Sequence, residues 1–227
     1  MTTLNQILSK YTPFFSPVVG FDFRKDAYAT LDFSVRNQDL KHRNLSNLPE
    51  MKQYIQEALA KQNASIGIGG YAEERDVYQK SEVFDTQAGA SRSIHLGVDI
   101  WLEAGAPVYA PLEARVHSFQ NNSAFGDYGA TIILEHTLEG VLFYTLYGHL
   151  SLQSLENLLV GQVILQGANF AFIGDETVNG GWVPHLHFQI IADMLDKVGD
   201  FWGVAPKSEL EYYLALCPNP TLILGNE

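Results

Sequence analysis

The sequence has few of the residues that mark disulfide-rich, membrane-spanning or nucleic-acid-binding proteins. Its single cysteine, Cys217, has no partner for an internal disulfide, which fits a reducing compartment. No run of about eighteen apolar residues is present to span a bilayer. Positive charge is also scarce, because 14 Lys and Arg stand against 26 Asp and Glu and give a formal net charge of −12. Such a chain should be repelled by phosphate backbones, so no nucleic-acid partner is expected.

The first ten residues lack the basic stretch and the apolar core of a signal peptide. We therefore expect a cytoplasmic protein, or an extracytoplasmic one if the chain is a trimmed mature form. The composition, with 46% hydrophobic and 18% charged residues, is that of a folded protein. Its 227 residues suffice for one good core and a small accessory region. The oligomeric state stays unknown at this stage.

Two short strings carry most of the chemical information, His95-Leu-Gly-Val-Asp99 and His185-Leu-His187. The residues Val98, Ile100 and Trp101 favour a strand around Asp99, and Gly97 lets the backbone pass close to a ligand. The second string alternates with period two, so both of its histidines should lie on one face of a strand.

These strings offer a transition metal four candidate ligands. Catalytic zinc typically has three protein ligands drawn from histidine and carboxylate, with water in the fourth place. His95, Asp99 and one of the two strand histidines, His185 or His187, would complete that set. The other imidazole would then lie beside the water as an acid or base. His149, after the apolar strand Val141 to Leu146, is a further candidate for handling protons.

The other three histidines fit structural roles, since an isolated histidine is more often a hydrogen-bonded structural residue than a ligand. They are His42, His117 and His136. His136 follows the apolar run Thr131 to Leu134 and should lie at a strand end.

Together with Tyr147-Gly148-His149-Leu150, the two strings resemble the motifs of the M23 family of zinc metallopeptidases. These are the lysostaphin-like or LytM-like peptidases that cut peptide cross-bridges and stems in bacterial cell walls. The stretches Gly105 to Pro111 and Gly161 to Ile164 are similar to the loops and strands between the family motifs. The sequence departs from the family pattern at Ala114, where glycine is usual, and at Gln189, where glutamate is frequent.

Carried over position by position, the resemblance implies that His95, Asp99 and His187 bind one zinc ion. It implies catalytic roles for His149 and His185. The implied function is a zinc-dependent metallo-endopeptidase that hydrolyses a peptide bond, in peptidoglycan or a related peptide, by metal-activated water with histidine acid/base assistance.

Two alternatives stay open. One is a noncatalytic zinc-bound module that recognises a peptide or a cell-wall fragment. Retention of all five site residues disfavours it, because regulators of that kind typically lack several ligands. The other is a cytoplasmic hydrolase of a small amide or amine metabolite.

A narrower resemblance favours this last reading. Gly69-Gly70-Tyr71, Asn179-Gly180-Gly181-Trp182 and Cys217-Pro218-Asn219-Pro220 are similar to an M23-type domain in large bacterial proteins. Those proteins also carry phosphotransferase and class III aminotransferase domains, which would place the domain in amine metabolism.

We predict a mainly β (α+β) fold with an antiparallel β-sheet core of the M23/LytM type, a mixed N-terminal accessory region and a C-terminal helix. The expected division is residues 1–82 for the accessory region, packed on the core, and residues 83–227 for the metallopeptidase domain. The core strands should be Ala106 to Ala110, Ala114 to Phe119, Thr131 to Glu135, Val141 to Tyr147, Gln162 to Leu165, Ala171 to Ile173 and His185 to Ile191. A turn-rich loop, residues 175–182, should roof the site, with Trp182 either as a candidate substrate contact or as an aromatic plug over the edge of the core.

The remaining elements are predicted from local patterns. We expect a helix from Asn5 to Tyr11, a half-buried strand through Leu31, Phe33 and Val35, a helix from Leu48 to Gln62 capped by Asn47 with Glu50 completing a capping box, and a helix from Ser208 to Leu216. Gly67 to Tyr71 should form a turn, since its glycine spacing fits no phosphate-binding motif. Glu73 to Asp76 should form a solvated charged face, although its position just before the first string could place one of these residues near the cleft.

Overall fold

The structure is a computed structural model that describes residues 3–76 and 92–226. Strands dominate it, and most neighbouring strands run antiparallel, so the predicted mainly β fold with a C-terminal helix is confirmed. Within these residues, no helix is both long enough and apolar enough to cross a membrane.

The described residues form twelve strands and four α-helices. The strands are β1 (Ala29–Thr30), β2 (Gly67–Gly69), β3 (Arg92–His95), β4 (Val98–Trp101), β5 (Pro107–Tyr109), β6 (Ala114–Asn122), β7 (Gly129–Leu138), β8 (Val141–Leu150), β9 (Val163–Ile164), β10 (Asn169–Phe172), β11 (His185–Ile191) and β12 (Val204–Pro206). The helices are α1 (Leu4–Tyr11), α2 (Leu48–Lys61), α3 (Leu210–Leu216) and α4 (Thr221–Leu224).

One sheet organises the molecule, with eight strands in the order β1-β2-β4-β11-β8-β7-β6-β9. Its neighbours pair antiparallel except β1 and β2, which are parallel. The strands β5 and β10 form a separate pair, as do β3 and β12. All seven predicted core strands are present. The central strands β6, β7 and β8 are longer than predicted, because they continue through polar residues that sequence patterns assign to turns.

Strand β11 carries the His185-Leu-His187 string and points alternate side chains to opposite faces of the sheet. Leu186, Phe188 and Ile190 point into the larger hydrophobic core, which also contains Ile132 and Tyr147. The odd-numbered residues of β11 point to the opposite face, where Ile191 joins a second core that includes Cys217. The period-two prediction is therefore confirmed, and it places His185 and His187 on the same face.

Helices α1 and α2 begin and end within a residue of their predicted limits. Asn47 caps α2 by accepting a hydrogen bond from the Glu50 backbone N–H at 3.1 Å. The predicted capping box is wrong, because the Glu50 carboxylate instead accepts from the Asn44 backbone N–H at 2.7 Å. The Asn44 N–H, from the chain just before the helix, therefore takes the place of the donor that a capping box would use.

The predicted strand through Leu31, Phe33 and Val35 is also wrong. Leu31 and Phe33 are buried as expected, but the regular strand stops at Thr30. The Asp32 side chain accepts from the Ser34 N–H at 2.8 Å, a local bond that competes with sheet pairing. The Asp32 carbonyl accepts from the Tyr54 hydroxyl at 2.7 Å, so side chains satisfy this backbone.

Three residues of the predicted turn at Gly67 to Tyr71 belong instead to β2, which pairs with β4. Tertiary pairing here overrides the low strand propensity of glycine. The predicted C-terminal helix is α3, preceded by a 3₁₀ turn at Lys207–Glu209. Helix α4 was not predicted. The boundary placed between residues 82 and 83 lies outside the described residues and stays a prediction.

Candidate metal centre

The five residues singled out from the sequence meet in one place. His95 ends β3, Asp99 lies in β4, His149 lies near the end of β8, and His185 and His187 lie in β11. Each is more than nine-tenths buried, with His149 the most exposed at 6%. All five line a cavity of about 200 Å³. The sheet order, with β4 and β8 on either side of β11, brings four of them together, and β3, which pairs with β12, adds His95.

Three of the five residues form a tight cluster. His95, Asp99 and His187 each present one ligand atom, and all three atoms lie within 4.8 Å of one another. His95 Nε2 lies 3.0 Å from His187 Nδ1, and Asp99 Oδ1 lies 3.3 Å from each of these nitrogens. Ligands about 2.0 Å from a tetrahedral zinc ion are about 3.3 Å apart, so the spacing fits a zinc ion.

The hydrogen bonds on the far sides of the two ligand imidazoles decide which nitrogen carries the proton. His95 Nδ1 lies 2.9 Å from the Gly70 carbonyl, which can only accept. His187 Nε2 lies 2.9 Å from Gln189 Oε1. The Gln189 amide nitrogen donates to the Trp202 carbonyl at 3.0 Å, which fixes Oε1 as an acceptor.

Both imidazoles therefore donate outward in their neutral forms. Their inward nitrogens keep lone pairs that face the Asp99 carboxylate. Three lone-pair atoms this close repel one another unless a cation lies between them, and this chemistry fits a metal ion.

Gly97, between the two ligands of the first string, lies directly against the third. A Cβ at this position would be 2.7 Å from His187 Nε2. The predicted close passage of the backbone at Gly97 is therefore confirmed.

His149 and His185 lie beside the cluster with their rings close together, at a centroid distance of 4.2 Å. His149 Nδ1 donates to the Asn179 carbonyl at 2.8 Å, and His185 Nδ1 donates to the Val183 carbonyl at 2.7 Å. The Nε2 atom of each has no hydrogen-bond partner in the part of the chain that the structure describes. His185 Nε2 lies 3.7 Å from Asp99 Oδ1, farther than the 3.3 Å of His187 Nδ1.

Burial keeps these imidazoles neutral. It lowers the pKa of His185, and with the neighbouring His185 it holds the pKa of His149 well below the usual value. Burial also lowers the pKa of His95 to about 4. A neutral imidazole whose Nδ1–H is already donated can only accept a proton at Nε2. His149 and His185 are thus arranged as bases.

Asp99 is ionised despite its burial. Burial would raise its pKa, but the positive charge of the Arg75 guanidinium outweighs that effect and holds the pKa well below its usual value. Arg75 Nη1 donates to Asp99 Oδ2 at 2.6 Å, and the Arg75 side chain is only 5% exposed. Arg75, whose charge is turned inward to this buried carboxylate, is thus the residue of Glu73 to Asp76 that lies near the cleft, and the expected solvated face does not extend to it.

The loop before β11 bounds the cavity, as predicted, and Trp182 lines it. Asn179 holds the loop, because its Oδ1 accepts from the Trp182 backbone N–H at 2.9 Å. Tyr128 was missed by sequence reasoning, although it lines the cavity with its hydroxyl 3.5 Å from His187 Nε2. Its position before Gly129 carries no motif that could have revealed it. His117 and His136 lie outside the cavity lining.

A family model matches the part of the chain that contains this site. Residues 93–197 match the sequence model of Peptidase family M23, a little under half of the chain. That span contains His95, Asp99, His149, His185 and His187, whereas Arg75 lies before it. No curated protein sequence matches the chain.

Several solved structures are similar over part of the chain. A zinc-containing peptidase from Vibrio cholerae has 25% identity over 47% of this chain, with a TM-score of 0.35. The catalytic domain of lysostaphin from Staphylococcus simulans has 25% identity over 53% of this chain and 80% of its own, with a TM-score of 0.37. LytU has 23% identity over 66% of this chain and 90% of its own, with a TM-score of 0.39.

The chain spans 29% of the length of the Vibrio cholerae peptidase. The match to the family model covers the motifs that carry the site geometry. Residues 93–197 of this chain are therefore similar to an M23-type peptidase domain.

Proposed function

We propose that this chain is a zinc-dependent metallo-endopeptidase that hydrolyses a peptide bond, in peptidoglycan or a related peptide. The observation that carries the proposal is the convergence of a three-ligand cluster with two neutral imidazoles, all on one cavity wall. Peptidase family M23 matches the same residues. The division expected from the sequence, with the catalytic unit in residues 83–227 and an accessory region in residues 1–82, belongs to this proposal.

His95, Asp99 and His187 would hold the metal through Nε2, Oδ1 and Nδ1. When bound there, zinc supplies a Lewis acid that polarises the scissile carbonyl and lowers the pKa of water toward neutrality. The outward hydrogen bonds of His95 and His187 keep their ligand nitrogens free of protons. Asp99 adds the one negative charge of the set.

His149 and His185 would move the protons. Hydrolysis adds a water oxygen to the carbonyl carbon, breaks the C–N bond and delivers a proton to the departing amine. A neutral Nε2 of His149 or His185 first accepts the proton of the attacking water, since both Nδ1 atoms are already donating. The resulting imidazolium can donate a hydrogen bond to the developing oxyanion, and it then gives its proton to the departing amine nitrogen.

A second candidate is a hydrolase of a small amide or amine-linked metabolite, which goes with the cytoplasmic location expected from the sequence. The residues that line the cavity favour this second candidate. Besides Trp182 and Tyr128, they include Phe33 and Met51, which come from the chain before the M23-type domain. Additional walls around a cavity of about 200 Å³ suit a short substrate better than a long strand.

The noncatalytic alternative would bind the same peptides without cleaving them. The arrangement of His149 and His185 speaks against it, because recognition alone has no need for two buried imidazoles that each leave a basic nitrogen facing the cavity. An inactive module would gain nothing from the energetic cost of burying them.

Mass spectrometry of cleavage products separates these functions. Zinc-loaded protein would be incubated with purified peptidoglycan, with glycine- and D-alanine-containing peptides, and with short amides. The controls are a chelated sample and the His149→Ala variant. Cleavage of peptidoglycan or long peptides that both controls lack supports the endopeptidase, whereas cleavage of short amides alone supports the second candidate. Full zinc occupancy with no cleavage of any substrate contradicts both hydrolase functions.

A further inference from the structure

The chain before the M23-type domain reaches the metal cluster directly. Strand β2 pairs with β4, and Gly69 lies opposite Asp99 in the register. The following residues run along β3, where the His95 N–H donates to the Glu73 carbonyl at 2.9 Å and the Arg75 N–H donates to the Ser93 carbonyl at 2.9 Å. We call residues 69–75 the outer segment. It is fixed by backbone hydrogen bonds next to two of the three candidate ligands.

The first contact of the outer segment is with His95. The Gly70 carbonyl accepts from His95 Nδ1 at 2.9 Å. Gly70 has a φ of +68°, and a Cβ there would lie 2.0 Å from Glu73 Oε2. Glycine is therefore required at this position, and the glycine-rich string that matches no phosphate-binding motif instead orients an imidazole.

The second contact is with Asp99, and it divides the two carboxylate oxygens between different partners. Oδ2 accepts from Arg75 Nη1 at 2.6 Å. Oδ1 faces His95 Nε2 and His187 Nδ1 at 3.3 Å each. One oxygen is thus held by the guanidinium, and the other is left for the metal.

Arg75 is itself fixed on its other side. Its Nε donates to Glu73 Oε2 at 2.6 Å, and Glu73 Oε1 accepts from the Phe33 backbone N–H at 3.0 Å. The Arg75 guanidinium also lies over the Phe33 ring, 5.4 Å from its centroid. A guanidinium with two carboxylate partners in a buried site has little freedom to turn, so it can impose an orientation on Asp99.

We propose that Arg75 is a positioning residue of the metal centre: it holds Asp99 as a one-oxygen ligand and limits the negative charge that this carboxylate offers the ion. The inference rests on the metal centre proposed above. Without Arg75, Oδ2 would be free to turn toward the ion, and Asp99 would lose the bond that orients it. Outer partners of metal ligands typically contribute about 10–100-fold to metal affinity or activity.

The test compares Arg75→Gln with Arg24→Gln. Arg24 makes a similar pair with Asp22, with Nε 2.7 Å from Oδ1 and Nη2 3.1 Å from Oδ2, and it does not line the cavity. Zinc affinity is measured by competition with a chelating indicator. We expect Arg75→Gln to lose about 10–100-fold in affinity and Arg24→Gln to be unchanged.

Cobalt substitution gives a readout that a merely structural role would not move. In the cobalt-loaded Arg75→Gln protein, a second carboxylate oxygen should raise the coordination number and weaken the visible d–d absorption. Arg75→Lys, which keeps the charge and one bond to Asp99, should restore most of the wild-type spectrum.

A folded Arg75→Gln protein with wild-type zinc affinity and an unchanged cobalt spectrum would overturn the proposal. If Arg75→Gln does not fold, Glu73→Gln takes its place, since it loosens Arg75 without removing the cation. A smaller loss of zinc affinity then supports the proposal, and an unchanged affinity overturns it.

The result also separates this inference from the proposed function. A wild-type protein that binds no zinc removes the metal centre itself. A wild-type protein that binds zinc beside an Arg75 variant that binds it equally well removes only the role of Arg75.

Discussion

His136 and the pair His149 and His185 are all buried imidazoles, yet they differ in one respect. His136 Nδ1 lies 3.1 Å from the Glu113 carbonyl, and its Nε2 lies 2.7 Å from Thr145 Oγ1, so both nitrogens are bonded to the protein. In the described residues His149 and His185 each have only one such bond, to a backbone carbonyl.

Neither burial nor pKa distinguishes the two regions. Burial lowers the pKa of His136 to about 4, and it lowers the pKa values of His149 and His185 as well. The difference is in the second nitrogen, which in His136 completes a core hydrogen bond and in the cavity pair faces open space. An imidazole with only one nitrogen hydrogen-bonded to the protein can take part in proton transfer, whereas one with both nitrogens hydrogen-bonded stabilises the fold.

The largest expected effect comes from removing a ligand. His187→Ala should weaken zinc binding by more than about a thousandfold, because two remaining protein ligands hold zinc poorly. Zinc content after dialysis against a calibrated chelator measures the loss. His117→Ala, whose imidazole bonds to Ser118 and lies outside the cavity lining, is the control and should keep its zinc.

Removing the His149 imidazole, which has only one nitrogen hydrogen-bonded to the protein, should leave the metal in place. We expect His149→Ala to bind zinc as the wild type does and to lose about 100–10,000-fold in turnover, since a positioned acid/base contributes that much. Steady-state rates on the substrate identified by mass spectrometry, measured at full zinc occupancy, provide the test. Loss of zinc in this variant would move His149 into the ligand set.

Removing the His136 imidazole, which has both nitrogens hydrogen-bonded to the protein, should reduce the stability of the fold instead. His136→Ala leaves the Thr145 hydroxyl and the Glu113 carbonyl without this partner and opens space against Phe143. The expected cost is about 2–4 kcal/mol in the free energy of unfolding. Urea unfolding measures it. A changed turnover per folded, zinc-loaded molecule would contradict the structural role.

The smallest effect is a pH dependence of stability. The pKa of His136 is about 4 in the folded protein and about 6.5 when unfolded. The unfolded state therefore binds the proton more tightly, and stability present above pH 6.5 is lost as the pH falls toward 4. Between pH 7 and pH 5, metal-free wild type should lose about 2 kcal/mol more than His136→Gln.

The other histidines are shared by both proteins and cancel in that difference. Urea unfolding at the two pH values measures it. Equal losses in the two proteins would show that His136 carries a proton in the fold.

The sequence was enough to single out His95, Asp99, His149, His185 and His187, which the structure brings to one cavity, while their separate roles stay proposals. Period-two alternation placed His185 and His187 on one face, and Gly97 indicated a close backbone approach. Their convergence with His149 followed only from the family resemblance, since pairing of β11 with β8 joins residues far apart in sequence.

The contacts of the outer segment could not be predicted from the sequence alone, because they too join residues from separate segments of the chain. A charged string such as Glu73 to Asp76 usually faces solvent. Backbone hydrogen bonds between the outer segment and β3 place Arg75 beside Asp99. The strand predicted through Leu31 failed because the Asp32 side chain accepts locally from the Ser34 N–H, while the Asp32 carbonyl accepts from the Tyr54 hydroxyl in a tertiary contact.

X-ray absorption at the zinc edge tests the central claim most directly, namely that His95, Asp99 and His187 hold the metal while His149 and His185 stay free for protons. The account predicts two imidazoles and oxygen ligands in the zinc-loaded wild type and the same set in His149→Ala. Three or more imidazoles in the wild type, falling by one in His149→Ala, would contradict it.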